Sequence, residues 1–193
     1  MKAPKKHTQS KYPKVVVPAG THIAVLYQII DMGTQETEWQ GQKKTGRKLR
    51  LTWEFPKKLH DFNGEQKPLV ISKEVTFSMY EKASLRPIVE AMCGKSLSDK
   101  EADDFDISSI AGKACLLAVT NKKSEIDGNV YARIAGVTPI MEGMEAPKPF
   151  NPVVVYSVTE GLSDGFSKLP EWLQEKLVKA PEWDTNKGDD IPF

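Results

Sequence analysis

The stretch Lys48-Leu49-Arg50-Leu51-Thr52-Trp53-Glu54-Phe55 alternates apolar and polar residues without a break. Successive side chains of a strand point to opposite sides, so Leu49, Leu51, Trp53 and Phe55 share one face. Lys48, Arg50, Thr52 and Glu54 share the other. A half-buried β-strand is predicted, ending at Pro56, which has no N–H to give a ladder. Upstream, residues 21–30 carry a second strand pattern, with Ile23, Val25 and Tyr27 alternating with Ala24 and Leu26 after a Pro18-Ala19-Gly20 turn. Residues 31–46 between them read as a polar loop with Gly33, Gly41, Gly46 and a lone aromatic, Trp39. Downstream, Asn63-Gly64 marks a turn into a strand over residues 69–78, with Ile71, Val75 and Phe77 on one face.

The period then changes. Ser84 reads as an N-cap, Pro87 falls in the first turn, and Ile88, Val89, Ala91 and Met92 form an apolar stripe that Gly94 stops. After an acidic loop (Asp99, Glu101, Asp103, Asp104, Asp106) and a short turn at 107–110, a buried strand spans 114–120. Asp127-Gly128 turns the chain into a fifth strand over 129–138. Three strands, a helix and two strands is the order of an OB-like five-stranded Greek-key barrel, whose second and third strands and flanking loops bind oligonucleotides. Residues 141–152 look like a linker and 156–166 look irregular. A short amphipathic helix is expected over 169–179, with Pro170 in its first turn and Leu169, Trp172, Leu173 and Leu177 apolar, packing back on the barrel.

The fold class is therefore mainly β: a five-stranded OB-like barrel with one inserted helix, a C-terminal amphipathic helix and a disordered tail. The expected organisation is a basic flexible arm (1–14), an OB-like domain (15–140), a peripheral extension (141–183) and an acidic tail (184–193). No apolar run reaches the length of a membrane span, and the basic N-terminus is no secretory signal, so a cytoplasmic protein without membrane contact is expected. Cys93 and Cys115 lie far apart and read as core residues. His7, His22 and His60 are scattered, so no metal and no cofactor is expected.

The net charge of +1 is uninformative, but its distribution is not. Five lysines and no acid occupy residues 1–14. Lys43, Lys44, Arg47, Lys48 and Arg50 fall together, again without an acid. A P-loop, GxSxG and HExxH are all absent, and the acidic loop lacks the spacing of a calcium site, so a binder rather than an enzyme is expected. Single-stranded nucleic acid requires cations along the phosphates and flat side chains under the bases. Trp39 and the five cations that follow supply both. Lys73 departs from the apolar pattern of its own face, and Tyr80 and Lys82 follow near that strand's end. Val130, Ala132 and Ile134 would point inward, turning Tyr131 and Arg133 outward. Lys122 and Lys123 occupy the loop between the last two strands.

The chain closes on Asp189-Asp190-Ile191-Pro192-Phe193. Two carboxylates plus the terminal one suit basic groups, and an Ile-Pro-Phe tip suits a small apolar pocket. This ending resembles the tip of bacterial single-stranded DNA-binding proteins, though the tail is shorter and less acidic than theirs. The body is similar to phage and prophage single-stranded DNA-binding proteins in Pro18-Ala-Gly-Thr-His-Ile-Ala, Asp31-Met-Gly-Thr-Gln, Lys48-Leu-Arg-Leu-Thr-Trp-Glu-Phe, Ser84-Leu-Arg-Pro, Gly112-Lys-Ala-Cys-Leu-Leu and Leu169-Pro-Glu-Trp. The resemblance implies sequence-independent binding and protection of single-stranded DNA during phage replication and recombination. It also implies that the tail recruits host or phage replication proteins. Oligomeric state stays open, a homo-oligomer included. The rival reading is an OB-like adaptor that keeps the docking tail without DNA affinity.

Overall fold

The computed structural model describes residues 15–39, 41–125 and 127–184. It is mainly β, built on a six-stranded sheet. Strands β1 (Gly20–Trp39), β2 (Gln42–Phe62) and β3 (Glu65–Thr76) form an antiparallel meander. Strand β4 (Ala114–Lys123) pairs with β1 on the side away from β2, and β5 (Val130–Thr138) pairs with β4, giving the order β3-β2-β1-β4-β5. A sixth strand, β6 (Val154–Ser157), runs parallel to β1 beside Gln28–Asp31. Among the described residues no helix is long and apolar enough to cross a membrane.

Strand β2 obeys its alternation. Leu49, Leu51, Trp53 and Phe55 are all buried, against Ala24 and Leu26 of β1, Cys115 and Leu117 of β4, and helix α1 (Leu85–Cys93). Helix α1 buries Leu85, Ile88, Val89 and Met92 and ends at Gly94, whose φ of 68° is open to glycine at little cost. Ser84 stands at the N-cap position, but its side chain makes no capping hydrogen bond. Between α1 and β4 the expected short turn is a 3-10 turn at Ile107–Ile110, while part of the expected acidic loop is a short helix, α2 (Asp99–Asp103).

Several expectations are corrected. Residues 31–46 are not a loop: β1 and β2 continue as a hairpin that pairs out to Trp39 and Gln42. Apart from Met32 and Trp39 its residues are polar or glycine, so it has no apolar alternation. The backbone ladder continues through it, with Lys43 at 2.8 Å from Glu36 and the Thr37 hydroxyl donating to the Lys44 carbonyl at 3.1 Å. Nor does Pro56 end β2. The ladder skips from Phe55 to Leu59 across the residue that cannot donate, then resumes to Phe62. Val130, expected inside, is exposed.

Residues 156–166 are not irregular. They hold the end of β6, a 3-10 turn at Val158–Glu160 and most of α3 (Asp164–Ser167); α4 (Glu171–Leu177) and α5 (Pro181–Asp184) follow. The expected helix over 169–179 is α4, with Pro170 as its N-cap. Together these elements make a second core around Ile30, Met32, Tyr156, Leu173, Leu177 and Trp183. Strand β1 lies between the two cores: Ile29 enters the first and Ile30 the second, as neighbouring side chains must point oppositely. The junction is tight at Gly33, in a bulge of β1 with φ +65°. A Cβ there would sit 2.8 Å from Glu182 Oε2 and 2.9 Å from Ala180 Cβ. Glu182 in turn accepts from the Thr34 backbone N–H at 2.9 Å and the Thr34 hydroxyl at 2.6 Å.

The expected linker is pinned as well. Glu54, on the polar side of β2, is fully buried and accepts from the backbone N–H groups of Phe150 and Asn151 and from the Asn151 side-chain amide. One part of the polar face of β2 is thus roofed by the C-terminal extension.

Candidate nucleic-acid interface

Strand parity sorts the basic cluster. Lys44, Lys48 and Arg50 lie on the side of β2 away from the first core, and Lys43 and Arg47 lie on the other. Arg47 is structural: it binds Asp31 through two nitrogens and stands 5.5 Å from the Phe77 ring centroid. Its hydrogen bond to Asp31 raises the guanidinium pKa further. Lys43 is engaged by Glu36, both exposed, a pairing of little energetic weight. Lys48 Nζ reaches the Thr76 hydroxyl at 3.2 Å.

Arg50 is the most constrained of the outer cations. One guanidinium nitrogen donates to Glu74 at 3.1 Å, and the group stands 4.7 Å from the centroid of the Trp172 ring on α4. Lys176, one helical turn on, donates to the other Glu74 oxygen at 2.7 Å. Burial pushes the Glu74 carboxyl up, but the Lys176 and Arg50 contacts outweigh it and hold the pKa below the usual carboxylate value.

From Arg50 a groove of about 440 Å³ runs between β3 and β5, lined by residues 15–17, Val70, Ser72 and Tyr131. Tyr131 also lines a concavity of about 720 Å³ at the β4–β5 hairpin, with Lys122, Lys123 and Arg133. Three cations face two carboxylates there, Glu125 and Asp127, and Asp127 accepts a hydrogen bond from the Tyr131 hydroxyl. That bond raises the Tyr131 pKa and, with bonds from Asn129 and Ser124, holds the Asp127 carboxyl far below its ordinary value. The two concavities share Tyr131 as a lining residue and together form a track, with Arg50, beside Trp172, lining one and the hairpin lysines lining the other.

A third cavity, of about 560 Å³, lies between the two cores. Asp31, Asp103, Asp106 and Glu160 line it beside Phe77 and Tyr156, so it repels phosphate. Among the described residues no three His, Cys, Asp or Glu side chains converge to hold a metal.

Of the residues expected to bind, Arg50, Lys122, Lys123, Tyr131 and Arg133 meet along the track, with Lys44 and Lys48 farther along the same side of β2. Lys73 shares a face with Ile71 and Val75 and is partly buried, while Tyr80 and Lys82 are exposed in the connection after β3 and line neither concavity. The side chain of Trp39 and the tail from Asp189 to Phe193 lie outside the described residues. The sequence reading missed Trp172 and Lys176, grouping Trp172 with the buried helix face. The available signal was spacing: Leu173 and Leu177 form one buried i,i+4 stripe, and Trp172 and Lys176 form the next stripe around the helix. No model of a known protein family matches the chain, and no curated protein matches it.

Proposed function

We propose that the chain binds single-stranded DNA without sequence preference along the Arg50–Tyr131 track of an OB-like fold, and that its Asp189–Phe193 tail recruits replication proteins. The carrying observation is that Tyr131 lines both concavities, with Arg50 in the lining of one and Lys122, Lys123 and Arg133 in the lining of the other. Phosphates meet Arg50, Lys122, Lys123 and Arg133, and bases meet the apolar wall of Val70 and Tyr131. Strand order supports the OB-like reading: a meander β1-β2-β3, a helical insertion, then β4 beside β1 and β5 beside β4, with β3 and β5 in contact. The tail's likeness to the bacterial tip supports the recruiting role in phage replication or recombination.

Titrating labelled oligo-dT and a duplex of equal length at two salt concentrations tests the reading. Single strands bind in preference, and affinity falls with salt by about 0.7 log units per phosphate contact per decade. Replacing Arg50 and Arg133 together by Ala lowers that slope. Equal affinity for duplex, or none for oligo-dT, refutes DNA protection; capture of proteins by the tail alone then leaves the adaptor reading.

A further inference from the structure

The C-terminal extension exposes a large aromatic, Trp172, on the helix α4. Trp172 is 49% exposed, although α4 is already anchored by Leu173 and Leu177, which are 1% and 0% exposed. An indole half in water forgoes apolar burial, and Trp placed this way is a residue type enriched at interfaces. One guanidinium lies over its ring, and that same Arg50 lines the groove leading to Tyr131. Lys176 adds a second cation one turn along α4, and Glu74 bridges the two, leaving that trio with one net positive charge.

We propose that Trp172 is a base-stacking residue of the single-strand site, with Arg50 and Lys176 meeting the adjoining phosphates, so that the extension forms one end of the binding track. This rests on the single-stranded DNA reading and extends it. An unpaired base presents a flat face to the open indole surface, and the cation–π contact with Arg50 fixes the ring before the ligand arrives. A duplex, whose bases are already stacked, gains nothing from the platform. The extension thereby takes part in choosing single strands over double.

The test combines affinity with intrinsic fluorescence. Trp53 and Trp183 are 0% and 7% exposed, so bases do not reach them, and Trp39→Phe removes the remaining emitter. In that background oligo-dT quenches the tryptophan signal, and the Trp39→Phe/Trp172→Phe double variant loses the quench. With labelled oligo-dT, Trp172→Ala binds at least about five-fold more weakly, the lower bound of stacking at roughly 1 kcal/mol per base, while Trp172→Phe stays near wild type. Melting curves confirm that each variant folds. If the Trp39→Phe protein binds oligo-dT without quenching, or Trp172→Ala binds as tightly as wild type, Trp172 is no stacking residue and the DNA reading survives. If the wild-type protein binds no oligo-dT at all, both fall.

Discussion

Glu54→Gln puts the attachment of the extension to a quantitative test. The Glu54 carboxylate is fully buried and takes donors from Phe150 N, Asn151 N and Asn151 Nδ2. The amide keeps the shape but turns an NH2 group where one carboxylate oxygen had accepted, so a donor faces a donor. Each stranded donor costs about 1–3 kcal/mol, and the remaining bonds lose their charge assistance. Against this, a neutral amide is cheaper to bury than a carboxylate, which returns part of the loss. The net cost is about 2 kcal/mol, and for a chain of this length that lowers Tm by roughly 4–8 °C. A thermal melt followed by circular dichroism reads the shift, and limited proteolysis reads its location, with new cleavage expected in residues 141–153. A Glu54→Gln protein that melts within about 1 °C of wild type and gains no cleavage site refutes the pinning argument.

Gly33→Ala destabilises by about 2–4 kcal/mol in a urea melt, since a left-handed backbone and a Cβ crowded by Glu182 and Ala180 both oppose it. Trp53→Ala costs roughly 3–5 kcal/mol as a buried aromatic, whereas Trp39→Ala weakens oligo-dT binding and barely moves Tm. Because the folded-state pKa of Glu74 is depressed, its contribution is present at neutral pH and declines as pH drops below 4.5; Glu74→Gln flattens that part of the stability profile. Phe193→Ala, or one residue appended after Phe193, abolishes capture of replication proteins in a pull-down and leaves oligo-dT affinity unchanged; if neither change affects capture, the tail is no docking peptide.

The legible parts of this fold were those where one face carries apolar side chains into a core and the other carries polar ones. Strand β2 from Leu49 to Phe55 and helix α1 write their core-facing positions directly into periods of two and about four, although Thr52 and Glu54 on the other face of β2 are buried too. The hairpin at residues 31–46 escaped notice because its polar sequence has no apolar period to read, and its glycines mimic a loop. The second core escaped because its pieces are three to seven residues long; only α4 shows a period, and the pieces cohere around Ile30 and Met32. In the site, Arg50 and the Lys122–Arg133 hairpin were visible as charge on outward positions. Arg47 was not separable from them by sequence, because its partner Asp31 lies across a bulge that shifts the register. Trp172 was misassigned since composition cannot tell a buried indole from one standing on a guanidinium.

The division of one margin of β1 between β4 and β6 has a consequence for dissection of the chain. Beyond Val25, where β4 stops, the N–H and C=O groups of Gln28–Asp31 have β6 as their neighbour, and Ile30 and Met32 have the second core as their cover. A fragment cut at residue 140, where composition changes, would bare a row of unpaired peptide groups next to greasy side chains. Such a margin recruits strands from other molecules, so the fragment would self-associate or precipitate rather than behave as an isolated binding module. The extension thus guards solubility, and a workable truncation keeps everything through α5.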